Sequence, residues 1–388
     1  MLARSAGCLM LATAVVALAA AGSSAVAQPT IDITRAVIVA PHPASYPVEY
    51  RAAVMLREEV EKRSGISWPI VSRSRPSRAT TTIYVGSSDS LALTGALTRR
   101  TMKVAAGKRG GPLPEGYALI TPVHEEDATE ILAVGNDRRG ALYAVGRLLR
   151  AMYITEGKIA VPAGLDLASA PRYPIRGFQL GHRALNDTID AWTISDYEQY
   201  IRDLIVFGAN SIELLPALAP TEDLHDGVMK TGRWEIALAM SELLDSYDLD
   251  VWMYMHFPES AFKDPHELQE ELDVRRRLFA ACKRIDDIFV PTREKGGTDI
   301  TLLMPCLERL AAALRDYHPG AGLWVSTQGL EPAQLDYFYA WLQTSRPTWL
   351  TGVVYGPWSK DTLQHTREAV PRQYLVRRYP DIGHAVRC

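Results

Sequence analysis

Apolar positions along the chain follow two alternating periods. In the first half, short runs rich in Ile, Val and Leu at residues 31–40, 82–87, 116–122 and 130–135 read as strands. Residues 50–63 have helical periodicity and stop at Ser64-Gly65. Residues 138–152 place Ala141, Leu142, Val145, Leu148 and Leu149 on one helical face. Residues 88–114 predict a helix and then a Gly/Lys/Arg-rich loop. Strands covered by two helices make a small α/β sandwich.

Ala168-Ser169-Ala170-Pro171 has the composition of a linker, and beyond it the rhythm changes. Apolar runs at 176–181, 211–216, 251–256, 286–291, 322–327, 350–355 and 373–379 predict seven strands. Amphipathic helices are predicted between them at 195–206, 234–247, 268–282, 301–317 and 331–344. Strand then helix at a spacing of about 35 residues is the pattern of a right-handed βα series. A (β/α)8-type, TIM-like barrel fits best. A doubly wound open sheet is the alternative, weakened because no Gly-rich phosphate loop follows the first strand. From Pro171 onward the chain has 218 residues, against about 250 for a typical barrel. The barrel therefore reads as incomplete at the C-terminus, truncated after its seventh strand. Its first and last strands should either gape or be bridged by the C-terminal tail.

The expected organisation is a leader over 1–27, an α/β domain over 28–167 and the barrel over 172–388. The leader follows from Arg4, an apolar run at 9–21 and the small residues ending Ser24-Ala25-Val26-Ala27. The run is short of the ~18–20 residues of a spanning helix, so the expectation is a secreted or periplasmic bacterial protein with no membrane segment after cleavage. Removing the leader leaves Cys282, Cys306 and Cys388; the first two lie in helical patterns and read as buried thiols. The nine His residues are scattered without metal-ligand spacing, so no metal or cofactor is implied. A net charge of −3 excludes the basic footprint of a nucleic-acid binder, and Arg73, Arg75 and Arg78 read as a solvated loop.

In a barrel the reacting groups sit on the loops after the strands. Those positions hold Gln179, His182, Arg183, Asn186, Asp190 and Trp192 after the first strand, and Glu213 on the second. Tyr254, His256 and Glu259 follow the third, Arg293 and Glu294 the fourth, Ser326 and Gln328 the fifth. Tyr355 and Trp358 follow the sixth; Tyr379, Asp381 and His384 follow the seventh. Carboxylates, aromatics and Arg on one rim suit sugar chemistry. Glycoside hydrolysis needs two carboxyl groups flanking the bond, and aromatic faces stack on pyranose rings. Glu294, Asp381 and Glu259 are the catalytic candidates. Arg183, Asn186, Trp192, Glu213, Tyr254, His256, Gln328, Tyr355, Trp358 and His384 are the substrate-binding ones. Each acid has a plainer reading: Glu213 as an ion-paired interior residue, Glu259 as a helix start, Glu294 and Asp381 as turn residues.

The segment GNDRRGALYAVGRLL (135–149) resembles the motif closing the N-terminal domain of bacterial β-hexosaminidases, a domain also present in α-glucuronidase and O-GlcNAcase-type glycosidases. APRYPIRGFQLGHR (170–183) is similar to the lead-in to the first strand of their barrels. Longer stretches, among them FGANSIELLP and YHPGAGLWVSTQG, resemble an uncharacterised group of secreted bacterial proteins on the same two-domain plan. The resemblance implies a glycoside hydrolase acting on an oligo- or polysaccharide. Family 20 hexosaminidases carry an adjacent Asp-Glu pair after the fourth strand, where this chain reads Pro291-Thr292-Arg293-Glu294 and lacks the Asp. A degenerate or non-catalytic carbohydrate-binding barrel is the alternative. A lyase or metal-assisted hydrolase, with His256 or His384 meeting two acids, is a third reading.

Overall fold

The computed structural model describes residues 29–72, 81–92, 111–124, 129–180, 188–218, 231–292, 299–356, 358–379 and 381–382. The first part of the chain runs β1 (Thr30–Asp32), β2 (Ala36–Val39), α1 (Pro47–Ser64), β3 (Ile70–Val71), β4 (Thr81–Ser87), α2 (Ser88–Ala92), β5 (Tyr117–Ile120), β6 (Glu130–Gly135), α3 (Arg138–Ala151), β7 (Tyr153–Thr155), β8 (Lys158–Pro162) and β9 (Asp166–Ser169). A six-stranded sheet has the order β3-β2-β4-β6-β5-β9, with β5 antiparallel to both neighbours. A three-stranded antiparallel sheet has the order β1-β8-β7.

Two expectations are corrected here. The run at 31–40 is two strands in two sheets. Asp32 Oδ1 accepts the Thr34 N–H at 2.8 Å, and this local turn separates β1 from β2. The linker begins later than its composition suggested. Ala168 and Ser169 belong to β9, paired with Ala118 and Tyr117, because a polar strand at a sheet edge carries no apolar signature.

The second part runs β10 (Gly177–Leu180), α4 (Ile194–Val206), β11 (Ser211–Leu214), α5 (Arg233–Ser246), β12 (Asp250–Tyr254), α6 (Pro265–Ala281), β13 (Asp287–Val290), α7 (Ile300–Arg315), β14 (Gly322–Ser326), α8 (Pro332–Ser345), β15 (Gly352–Tyr355), α9 (Leu363–Ala369), β16 (Leu375–Arg378) and β17 (Asp381–Ile382). β10 to β16 are parallel and neighbours in chain order. This is the curled sheet of an incomplete TIM-like barrel. Its last segment touches both edges: β16 pairs with β15, and β17 pairs with Phe178 and Gln179 of β10. The bridging expected of the tail is thus realised by a single break between two short strands.

Alternation along the strands divides the barrel residues. Ile212, Leu214, Val251, Met253, Ile288, Val290, Leu323 and Val325 join the large core shared with the helices. Trp252, Tyr254, Phe289, Trp324 and Val354 form a separate cluster inside the sheet. Cys282 caps α6 and Cys306 lies within α7; both are buried free thiols. Burial pushes the Cys282 thiol up to about 12.

The two parts meet through α1 and α3 on one side and α4 and α5 on the other. A Cβ on Gly146 of α3 would lie 2.9 Å from Val206 Cα of α4, so only glycine permits this approach. Arg202 donates to Glu58 at 2.6 Å and to Tyr247 Oη at 2.9 Å, and Arg51 pairs with Glu198 at 2.6 Å.

Candidate active site at the C-terminal mouth of the barrel

The upper interior of the barrel is built around Glu213, only 2% exposed. Arg377 donates to its Oε2 at 2.8 Å and Gln179 Nε2 to its Oε1 at 2.7 Å. Gln179 Nε2 also lies 3.3 Å from Tyr379 Oη. The Arg377 guanidinium rests over the Trp252 ring at 4.1 Å, with Phe289 and Trp324 at 5.3 and 5.6 Å. A buried cation between aromatic faces and a carboxylate has most of its lost hydration replaced. Glu213 is therefore the ion-paired interior residue of its plainer reading, below the open rim.

Above it, the ends of β13 and β14 are tied by hydroxyls. Ser326 Oγ accepts the Thr292 N–H at 3.1 Å, and Thr292 Oγ1 donates to the Gln328 carbonyl at 2.7 Å. Thr292 is thus anchored two residues before Glu294, which lies outside the described residues, as do Arg183, Asn186 and His384. The side chain of Asp190 is likewise outside them. Asp381 is described in its backbone alone, in the sheet opposite Phe178 rather than in a loop across the mouth. The short β17 that places it there follows Pro380 and carried no strand signal.

The remaining candidates separate into two groups. Tyr254 ends β12, buried edge-on to Phe289 at 5.4 Å, and Gln328 is buried after β14. Tyr355 donates to the Asp361 carbonyl at 3.1 Å, which ties the end of β15 to the segment that follows Trp358. Trp358 is 76% exposed and has a φ of +57°. These four belong to the mouth. Glu259, by contrast, starts a short 3-10 turn, exposed and paired with Lys263 at 2.7 Å. His256 is exposed, and its backbone oxygen accepts from Arg275. Trp192 packs edge-on against Tyr197 and Tyr200 of α4 at 5.4 and 5.2 Å, so its ring is committed to the helix layer.

Sequence reasoning missed Asp361. It accepts hydrogen bonds from Tyr339 Oη at 2.7 Å, the Thr362 N–H at 2.7 Å and His365 Nδ1 at 2.8 Å. Against the cost of its burial, these donors hold its carboxyl below the usual range. The available signal was the Asp361-Thr362 cap ahead of α9, a helix too short and polar to stand out.

At the opposite end of the barrel, Asp287 opens β13 and accepts the Trp324 indole N–H at 2.7 Å. Burial, with Asp286 and Asp250 nearby, pushes its carboxyl up to about 7, against the pull of Trp324 and Arg377. It borders a cavity of about 450 Å³ with Asp250, Asp286 and Arg315. Among the described residues no three His, Cys, Asp or Glu side chains converge at metal-ligand spacing.

The motif at 135–149 proves structural. Asp137 caps α3, accepting from the N–H groups of Gly140 at 2.8 Å and Glu115 at 2.6 Å. A Cβ on Gly140 would strike the Gly116 carbonyl at 2.2 Å. Arg138 and Arg139 reach Asp248 at 3.1 and 3.2 Å on the underside of the barrel.

No family model matches the sequence, and no curated protein sequence matches it. Solved structures do match its fold. A family GH20 exo-β-N-acetylglucosaminidase from Vibrio harveyi aligns with a TM-score of 0.53 and 10% identity, over 90% of this chain and 58% of its own. A β-N-acetylhexosaminidase from Bacteroides fragilis aligns with a TM-score of 0.56 and 14% identity, over 90% of this chain and 71% of its own. A family GH115 4-O-methyl-α-glucuronidase with specificity for decorated arabinogalactans aligns with a TM-score of 0.53 and 13% identity, over 91% of this chain and 55% of its own. The chain thus spans little more than half the length of two of these three enzymes, and its fold is glycoside-hydrolase-like.

Proposed function

We propose that this protein is a secreted glycoside hydrolase that cleaves O-glycosidic bonds of an oligo- or polysaccharide at the C-terminal mouth of its barrel. The observation that carries the reading is a glycoside-hydrolase-like barrel whose mouth combines a buried amide, ordered hydroxyls and aromatic rings. The leader at 1–27 directs export, and the barrel carries the chemistry. Glu294 is the general acid, two residues after Thr292, whose N–H is held by Ser326 Oγ. Asp381, the partner carboxyl offered by the sequence, pairs beside Phe178 within the sheet and so ranks behind Glu294. Glu259 ranks behind both because Lys263 already occupies it. A glycosidic oxygen is a poor leaving group and needs a proton as the bond breaks.

The test is turnover of a panel of aryl glycosides, uronides included, and of the matching oligosaccharides. Glu294→Gln lowers turnover of an unactivated substrate by about 10²–10⁴-fold, and much less for an aryl glycoside with a good leaving group. Equal loss on both substrates, or no loss, removes Glu294 from the role. No turnover of any glycoside by the intact chain overturns the reading.

A further inference from the structure

Among the described residues of the barrel interior, Trp252 Nε1, Arg377 Nε and Gln328 Oε1 are buried without a hydrogen-bond partner, and only the last is an acceptor. Gln328 is 4% exposed, yet its side-chain carbonyl oxygen is closed off from solvent with no hydrogen-bond partner. A buried unpaired acceptor is a standing destabilisation, since the same volume filled by an apolar side chain would not carry it. The backbone around it is by contrast fully tied. The Gln328 N–H reaches Ser326 Oγ at 3.3 Å and its carbonyl accepts from Thr292 at 2.7 Å. The amide is thus held at one place while its acceptor is left without a partner.

What lies beside that acceptor suits a sugar ring. Gly356 is its neighbour: a Cβ there would stand 3.6 Å from Gln328 Oε1 and 3.4 Å from the Tyr379 ring, in ordinary contact with both. The Trp358 loop is laced to the Gln328 loop by Gly329 N–H to the Trp358 carbonyl at 3.3 Å and by Thr327 and Ser359 hydroxyls at 3.1 Å. Trp358 is a large, mostly exposed ring on a left-handed backbone, a conformation that non-glycine residues adopt at a cost. An exposed indole and an unmet acceptor, on two loops bound to each other, complement a pyranose. The ring's C–H face stacks and one hydroxyl donates.

We infer that Gln328 reads one hydroxyl of the bound pyranose, its side-chain carbonyl accepting that O–H while Trp358 offers the stacking face. This rests on the glycosidase reading and deepens it, assigning the substrate a hydroxyl donor at one ring position. The same acceptor discriminates against a deoxy sugar, which leaves the carbonyl unpaired.

The experiment is calorimetric titration of the full chain with 4-nitrophenyl 1-thioglycosides of glucose, galactose, N-acetylglucosamine and glucuronic acid, which resist hydrolysis. The monodeoxy forms of whichever binds follow. Gln328→Leu is expected to weaken binding of the parent glycoside by about tenfold or more. It is also expected to leave the melting midpoint unchanged or higher, and to bind one monodeoxy form as tightly as the unaltered protein does. Unchanged affinity for the parent overturns the inference. So does an equal loss across all deoxy forms with a lowered midpoint, the mark of a purely structural glutamine. If Gln328→Leu does not fold, Gly356→Ala sets a methyl beside the same oxygen and must lower affinity; if it does not, the inference falls. If the unaltered chain binds none of the four glycosides, the glycosidase reading itself fails, a result distinct from binding without selectivity.

Discussion

The two ends of the barrel are made by the same strands and treat their polar groups in opposite ways. At the lower end, Arg284 meets Asp248 at 3.0 Å and Asp286 at 2.7 Å, while Arg139 bridges Asp248, Asp250 and Glu115. Carboxylates at the strand starts are answered by cations from α3 and from the α6–β13 turn. At the upper end, Gln328 has an unmet acceptor and Trp358 an uncovered ring on a strained backbone. The arginine–carboxylate network that joins α3 to the strand starts marks the first as a docking surface between the two halves of the chain. The second is the end where function is expected to override stability.

The contrast can be broken most forcefully from below. Arg139→Met removes a cation shared by Glu115, Asp248 and Asp250, which retain Arg176, Arg138 and Arg284 as partners. The expected loss is about 3 kcal/mol in urea unfolding, the low end of the range for stripping one partner from a buried ion pair. A loss under about 1 kcal/mol would place this cluster with ordinary surface pairs.

Asp287 sharpens the comparison through pH. Its carboxyl titrates near 7 in the folded chain against an ordinary 3.8. Between those values the folded protein holds a proton that the unfolded chain has released. Stability therefore falls as pH rises from about 4 to about 7 and levels off above. Asp287→Asn keeps an acceptor for the Trp324 indole and removes the titration. The variant should match the unaltered protein near pH 4 and exceed it at pH 8 by on the order of 2–4 kcal/mol. Parallel stability curves for the two proteins across that window would exclude Asp287 as the titrating group.

The smallest effect on stability belongs to the mouth. Trp358→Gly releases a left-handed tryptophan and removes a ring that is mostly in water, so stability changes by no more than about 1 kcal/mol, in the stabilising direction. Binding of 4-nitrophenyl 1-thioglycosides should weaken at the same time. Loss of stability without loss of binding would make Trp358 a structural residue and erase the difference between the two ends.

The βα rhythm of the barrel was legible in the sequence because its strands are apolar on both faces and each helix has one apolar side. All seven runs from 176 to 379 became strands, with ends shifted by at most two residues. What failed to show was short or polar, β3, β7, β8, β9, α9 and β17 among them; β9 and β17 pair with neighbours far along the chain. The candidate site was half legible. Position after a strand brought Tyr254, Gln328, Tyr355 and Trp358 to one mouth, yet the same rule nominated Glu259, His256 and Trp192. Periodicity gives the strand after which a residue falls and not the partner its side chain meets. The sequence by itself determined the element order and the rim on which chemistry would lie, since both follow from local patterns of burial. Only the tertiary structure decided that Glu213 is locked by Arg377, 164 residues away, that the DRRG motif clamps the underside, and that Gln328 is left unpaired. Those outcomes depend on which charges and hydrogen-bonding groups the closed sheet brings within about 3 Å of one another.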